Sequence, residues 1–328
     1  MDGLRLLKRN GRPTGKPMRG VPRATVRIFP VRHPQPEFTE RMNEMKRNAS
    51  RILSLVLAIA LVMSMSLTAF ALDGHEMYMS PATGTSYTTM ATSSTTSVPL
   101  EVCFTAYNEG YYTTGFDSAD QAKTVSWTVT YNDDGLVNNT VAVSSGEVNS
   151  VITSKGTVTL NAGVTGVAVV HAAYNGLTLD LVIARDTTGV QSNVAAKVYV
   201  VDVTSSDDKL IVDNETVTVA APAGKSGSIL AGKSCAFQNQ PTAMGTLDVL
   251  LSNEVLESVT LSADGSYANE INGLYYWGYA VYSSTGALVD ISQVTSASIF
   301  ALSSGQTVVW KYGAWSFAST LTAEVASW

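Results

Sequence analysis

The chain contains 328 residues, of which 45% are hydrophobic, and its formal net charge is −6 at pH 7. Most of the 21 Lys and Arg residues precede Leu72, whereas most of the 27 Asp and Glu residues follow it. The acidic remainder lacks the clustered cations that bind a phosphate backbone, so we expect no nucleic-acid partner.

Residues 1–44 are rich in Arg, Lys and Pro and show no apolar periodicity. This composition predicts a disordered basic leader. A signal peptide has to emerge first from the ribosome to be recognised, and the next segment has the order of one. We therefore interpret residues 1–44 either as a disordered leader or as the product of a start codon assigned too far upstream.

Residues 45–71 have the order of a secretory signal peptide. Basic residues precede an apolar run from Ile52 to about Leu67. The sequence Ala69-Phe70-Ala71 follows, and its small residues are typical of a signal-peptide cleavage site. The alternative is an uncleaved anchor, because the run is near the lower limit for a membrane span, where about 20 apolar residues are usual. Cleavage near Leu72 predicts an extracellular or cell-surface protein with no stable membrane span.

Residues 72–99 are dominated by Ser, Thr, Met, Ala and Gly, without an apolar period over most of their length. We expect a Ser/Thr-rich spacer here, or a weakly formed first strand.

Residues 100–190 contain short β-prone runs between turn residues. Val125, Trp127 and Val129 alternate with Thr and Ser, and turn residues occur at 132–135 and at Asn175-Gly176. This spacing predicts an all-β sandwich. The predicted strands are residues 101–107, 124–131, 137–143, 156–160, 167–173 and 177–184.

Three of these stretches resemble the bacterial immunoglobulin-like domains that are repeated on surface adhesins. They are Thr124-Val-Ser-Trp127-Thr-Val, Gly156-Thr-Val-Thr-Leu-Asn-Ala-Gly163 and Val164-Thr-Gly-Val-Ala-Val-Val-His-Ala172. In that family a strand with a core Trp is followed by a G-x-V-t strand and a G-x-a-x-V-x-A strand. The resemblance implies an immunoglobulin-like β-sandwich.

Residues 195–328 mix strand and helix patterns. Ala243, Leu247, Leu250 and Leu251 share one face of a predicted helix over residues 242–252, and Thr242 is a residue type that caps helices. Strands on both sides of one helix predict an α+β domain. The predicted strands are residues 197–203, 216–220, 255–261, 278–282, 298–302 and 307–312, with a last strand in the apolar tail at 314–328.

Four motifs of the second half lie at residues 242–250 (TAMGTLDVL), 271–274 (INGL), 277–281 (WGYAV) and 302–312 (LSSGQTVVWKY). In sequence and in order they resemble the transcobalamin-like carboxy-terminal domain family of Gram-positive surface proteins. The resemblance implies a ubiquitin-like β-grasp domain, and it alone suggests cobalamin as a ligand. The chain departs from the family at residues 283–286, which replace an Asn-Gly turn, at Gln306, which replaces Asp, and at 222–241, which look inserted.

Several motifs suggest chemistry but lack the context for it. Residues 227–234 match the phosphate-loop pattern G-x4-G-K-[ST], yet no doubly wound αβ series surrounds them, so we expect a surface insertion. His75 and His171 fall in a predicted tail and an apolar strand, which leaves no base beside a nucleophile. We expect no catalytic residue, and the histidines form no metal-ligand cluster.

Two pairs of adjacent acidic residues and two cysteines remain. Asp133-Asp134 and Asp207-Asp208 have turn-like settings without the order of a calcium loop, so we expect solvated turns and no metal site. Cys103 and Cys235 lie in the exported part, where a disulfide is permitted. Their positions leave open whether they pair or remain thiols.

Aromatic residues are concentrated in the second half. We predict a contact patch made by Tyr275, Tyr276, Trp277 and Tyr279, because exposed Tyr and Trp are typical of recognition surfaces. Trp310 and Tyr312 are instead expected in the core, since they share a strand face with Val308.

These observations predict a non-catalytic surface or secreted binding or adhesion protein, whose second domain engages a protein, a glycan or a small ligand. Capture of a corrinoid is an alternative implied by resemblance only. A further alternative is a structural subunit that assembles through strand edges.

Overall fold

A computed structural model describes residues 76–108, 111–204 and 209–328, which belong to one compact unit. In this part of the chain the fold is mainly β with several sheets, which confirms the predicted class. The basic leader, the signal-peptide interval, His75 and Asp207-Asp208 lie outside the described residues, so the expectations for them stay predictions. The described residues include no helix that is long and apolar enough to cross a membrane.

The strands are β1 (Glu76–Pro81), β2 (Thr88–Ala91), β3 (Ser97–Asn108), β4 (Tyr111–Thr114), β5 (Ser126–Asn132), β6 (Val137–Val148), β7 (Val151–Leu160), β8 (Gly166–Tyr174), β9 (Leu177–Arg185), β10 (Val194–Asp202), β11 (Lys209–Val219), β12 (Val259–Leu261), β13 (Ala268–Ile271), β14 (Leu274–Tyr275), β15 (Trp277–Tyr282) and β16 (Thr307–Tyr312). The α-helices are α1 (Ala119–Ala122), α2 (Gly245–Ser252) and α3 (Leu321–Val325), and 3-10 turns occupy Asp133–Gly135, Pro222–Gly224 and Asp290–Gln293.

The N-terminal lobe, residues 76–185, consists of two sheets that share one apolar core. One sheet has the order β1-β3-β7-β6, with β4 paired to β3, and the other has the order β2-β9-β8-β5. The pair β2–β9 is parallel, whereas the other pairs in the lobe are antiparallel. Leu100 and Val158 of the first sheet pack in one cluster with Trp127 and Leu181 of the second. The alternation seen in the sequence therefore buries one face of each sheet.

Of the two predictions for residues 72–99, the described part forms strands and is not a spacer. Residues 76–99 contain β1, β2 and the start of β3, and Met79, Ala91 and Val98 are buried. Strand formation here depends on hydrogen bonds to β3 and β9, which lie elsewhere in the chain. Hydrogen bonding to a neighbouring strand can therefore form a strand where the local sequence has little preference for one.

The C-terminal lobe, residues 194–328, has a main sheet in the order β11-β10-β16-β15. Neighbouring strands are antiparallel except for β10 and β16, which run parallel. Helix α2 lies on this sheet, where Leu247 and Leu250 join Val198, Val308 and Trp310 in one core. A small sheet, β12-β13-β14, completes the lobe.

Helix α2 is shorter than predicted. It begins at Gly245, and Thr242 instead forms a β-bridge with Ala301. Residues 255–258 and 298–302 do not form the predicted strands, since β12 begins at Val259 and the backbone N–H groups of Ile299 and Phe300 both donate to the carbonyl of Ser296. Tight turns in these segments bring apolar side chains into the core, and their backbone groups are not bonded to a neighbouring strand.

The C-terminal segment, residues 314–328, does not form the predicted last strand. It forms an irregular stretch followed by α3, and it covers the face of the main sheet opposite α2. Phe317, Leu321 and Trp328 pack there against Tyr199 and Tyr282. Its apolar residues therefore cover one face of the main sheet and do not extend the sheet by a further strand.

The two lobes pack against each other within the same unit. Phe237 and Ile299 of the C-terminal lobe are fully buried in a cluster with Val167 and Val169 of the N-terminal lobe. The carboxylate of Asp186 accepts hydrogen bonds from the backbone N–H groups of Gln238 at 2.7 Å and Asn239 at 2.9 Å. The segment that looked inserted, residues 222–241, is thus part of the junction. Cys103 and Cys235 are both free thiols.

Candidate functional site

The aromatic cleft is a concave site of about 230 Å³ on the C-terminal lobe. It lies where β15 and β16 meet the turn that precedes β13, the turn after Asp290–Gln293 and the C-terminal segment. The residues that line it include Ser266, Tyr267, Trp277, Tyr279, Gln293, Ser296, Trp310, Trp315 and Phe317.

The floor of the cleft consists of aromatic rings whose polar atoms are bonded inside the protein. Trp277 Nε1 donates to the carbonyl of Leu274 at 2.8 Å, and Trp310 Nε1 donates to Thr246 Oγ1 at 3.1 Å. The Tyr279 hydroxyl donates to the carbonyl of Thr295 at 2.7 Å. Burial of Tyr279 raises its pKa, despite that hydrogen bond, so the ring stays neutral. The floor therefore presents apolar, uncharged surface.

The rim of the cleft is exposed. Tyr267 retains 59% and Trp315 65% of their surface, although both residues line a concave site. Phe317 is half-buried, with the Lys311 ammonium 4.4 Å from its ring centroid. Large aromatic side chains left exposed in a concavity are typical of binding sites.

The residues that line the aromatic cleft include no Asp, Glu, Lys, Arg or His. Lys311, whose ammonium contacts Phe317, is buried and forms an ion pair with Glu324 at 2.6 Å. An anionic ligand would therefore lose its hydration in this cleft without gaining a cationic partner.

The structure divides the residues of the predicted contact patch between two places. Tyr275 and Tyr276 are 56% and 77% exposed, and Tyr276 has a φ of +72°, which bulky residues rarely adopt. Trp277 is buried, and Tyr279 points the same way because residues two apart share a strand face. Trp277 is thus not exposed as expected, yet it lines the aromatic cleft together with Tyr279, and their role as contacts stays a prediction.

Sequence reasoning missed Tyr267 as a site residue and assigned Trp315 and Phe317 to a strand. The available signal was the concentration of aromatic residues after residue 260. Their meeting point depends on how the C-terminal segment crosses the sheet, which has no sequence pattern of its own.

The phosphate-loop match has no phosphate-site geometry. Residues 227–234 form turns, and no helix begins directly after them, since the next helix starts at Gly245. Lys233 Nζ donates to the carbonyls of Ser262 and Ala263 at 3.1 and 3.3 Å. The lysine that would hold a phosphate is therefore engaged by the backbone.

The other polar candidates are isolated. His171 Nδ1 lies 2.8 Å from Asp180 Oδ1 in a cross-strand pair on β8 and β9. Asp133 lies in a tight turn, where burial and then the neighbouring Asp134 raise its pKa. Within the described residues there is no group of three or more His, Cys, Asp or Glu that could hold a metal ion.

No protein-family model matches the chain, and no curated protein is significantly similar to it in sequence.

Proposed function

We propose that this chain is an exported, non-catalytic binding protein, in which the aromatic cleft of the C-terminal lobe receives a ligand or partner and the N-terminal lobe serves as a spacer. The observation that carries the proposal is the uncharged cleft whose rim exposes Tyr267 and Trp315. The export signal predicted at residues 45–71 supports a location outside the cell.

The strand order of the C-terminal lobe supports the β-grasp interpretation. A hairpin, β10–β11, is followed by α2, and β16 then enters the sheet beside β10 in parallel. A hairpin, a crossing helix and a parallel central strand are what that fold requires.

The N-terminal lobe supports the immunoglobulin-like interpretation. Its two sheets enclose the indole of Trp127 on β5, as the resemblance implied. After β1 in the first sheet, the chain continues to β2, which pairs in parallel with β9 in the second sheet. Sandwiches of this kind serve many unrelated functions, so the function is argued from the cleft and not from the fold.

The size of the aromatic cleft argues against enclosure of a corrinoid. Pockets that enclose drug-sized ligands have volumes of about 300–1,000 Å³. The aromatic cleft, at about 230 Å³, accommodates a smaller group, such as one unit of a polymer.

The proposal is tested by binding of the labelled protein to intact cells and isolated wall material, with two paired variants. The double variant Tyr267→Ala/Trp315→Ala alters the rim of the cleft, and Tyr275→Ala/Tyr276→Ala removes an equally exposed aromatic pair outside it. We expect the rim variant to lose binding by about tenfold or more, as loss of about 1.4 kcal/mol would produce, while the control keeps it.

Retained binding by the rim variant together with loss in the control would move the site to Tyr275 and Tyr276. Absence of binding by the unaltered protein to every surface would contradict the proposed function itself. Elution as a large assembly in light-scattering chromatography would instead favour a structural subunit.

A further inference from the structure

The aromatic cleft has unpaired polar groups as well as apolar surface. No hydrogen bond within the described chain uses the Tyr267 hydroxyl, the Trp315 Nε1–H or the Gln293 Oε1. The Gln293 amide nitrogen makes only long contacts, at 3.3 Å to Ser292 Oγ and 3.5 Å to the carbonyl of Tyr279. The site therefore offers neutral donors and acceptors beside exposed rings.

This combination matches one ligand chemistry closely. A pyranose ring has an apolar face of C–H groups that packs on aromatic rings, and its edge carries neutral hydroxyls that both donate and accept hydrogen bonds. Tyr and Trp provide both kinds of contact in one side chain. Since no cationic residue lines the cleft, an acidic sugar would be left without a partner.

We propose that the aromatic cleft binds one unit of a neutral carbohydrate, with the sugar face on Trp315 or Tyr267 and its hydroxyls bonded to the polar groups of these residues and of Gln293. This inference rests on the proposed function and names the ligand class of the same cleft.

A proline-rich peptide is the main competitor, because such peptides also dock on aromatic residues. An extended peptide advances about 3.1 Å per residue and needs a groove several residues long. The aromatic cleft is a single concavity of about 230 Å³, which holds one compact group. Its geometry therefore favours a sugar ring over an extended chain.

The test uses protein purified after expression of the full chain and cells treated in two ways before binding is measured. Periodate cleaves the vicinal diols of glycans, whereas a protease removes surface proteins. We expect periodate to abolish binding and protease to leave it unchanged. Binding should also persist at about 1 M salt, where charges are screened beyond about 3 Å, because the contacts are neutral.

A panel of soluble neutral oligosaccharides, built from glucose, mannose or galactose, supplies the direct readout. We expect at least one to quench or shift the tryptophan fluorescence and to compete with cell binding. Trp315→Ala should weaken this affinity by about tenfold, with Tyr276→Ala as the matched control that leaves it unchanged.

Binding that is lost after protease and kept after periodate would overturn the carbohydrate inference while the binding function stands. Salt-sensitive binding to acidic polymers alone would overturn it in the same way. If the protein binds neither cells nor oligosaccharides, the proposed function and the inference fail together.

Discussion

At the scale of single residues, Gly156 explains why the core tryptophan of the N-terminal lobe fits. A Cβ added at Gly156 would lie 2.6 Å from Cε3 of Trp127, too close for the ring to keep its place. Trp127 is buried, and its Nε1–H donates to Ser154 Oγ at 3.1 Å, which fixes the ring over the glycine. The glycine of the G-x-V-t stretch therefore leaves space for the indole.

We expect Gly156→Ala to destabilise the protein by about 1–3 kcal/mol, because overpacking displaces a hydrogen-bonded ring from a closed core. The measurement is urea unfolding followed by tryptophan fluorescence. Gly189→Ala is the matched control, since a Cβ there meets no atom within 4 Å, and we expect a change within about 0.5 kcal/mol. Equal stability of the two variants would show that the indole relaxes without cost.

At the scale of elements, the C-terminal segment is held on the sheet by one buried carboxylate. Glu324 of α3 accepts a hydrogen bond from Lys311 Nζ at 2.6 Å, from Ala318 N at 2.6 Å and from Trp328 Nε1 at 3.1 Å. Burial raises the pKa of Glu324, but these hydrogen bonds and the Lys311 charge outweigh it and leave the pKa below its ordinary value of 4.5. The ionised carboxylate thus anchors the segment that carries Trp315 and Phe317.

A carboxylate with a lowered pKa in the folded state stabilises the fold above its unfolded pKa and loses that contribution as the pH falls through the folded value. We therefore expect the stability of the unaltered protein to fall as the pH drops below about 4.5. Glu324→Gln should be less stable by about 3–5 kcal/mol near neutral pH, because Lys311 remains buried without its partner, and should lose less on acidification.

Thermal unfolding of both proteins from neutral to acidic pH checks this prediction. Glu257→Gln, on an exposed glutamate, is the control and should follow the unaltered protein. If Glu324→Gln keeps the full acid dependence, other carboxylates are responsible. The same variant should also weaken ligand binding, because the cleft wall is then no longer held in place.

The sequence predicted best those elements that alternation defines locally, and least well those that depend on distant partners. Strand β16 matches its prediction at residues 307–312, and β8 and β9 each extend theirs by a residue or two. By contrast, β1 and β2 have little local signal and form because β3 and β9 offer free edges. The cleft was only partly predictable, because Trp277 and Tyr279 meet Tyr267 and Trp315 through turns that have no periodicity.

At the scale of the whole molecule, the contact between the lobes combines apolar packing with a set of hydrogen bonds between Asp186 and residues 238–240. This set is called the strap. Besides Gln238 and Asn239, Gln240 Nε2 donates to Asp186 at 3.2 Å. In return, Gln191 N donates to the carbonyl of Asn239 at 2.8 Å. The residues after β9 and the 222–241 segment thereby hold each other, and Phe237 is held against the N-terminal lobe.

Asp186→Asn tests whether this strap couples the lobes. An amide nitrogen in place of one carboxylate oxygen faces N–H donors and cannot accept from them, so buried donors are left unpaired at a cost of about 1–3 kcal/mol. We expect amide hydrogen exchange in residues 222–241 to become faster by about tenfold or more, while exchange in β8 and β16 stays unchanged. Asp180→Asn, an equivalent substitution at the partly exposed pair with His171, should leave the segment protected. Unchanged exchange in Asp186→Asn would mean that Phe237 and Ile299 hold the junction by apolar packing alone, whereas faster exchange across both lobes would mean that the strap stabilises the whole unit.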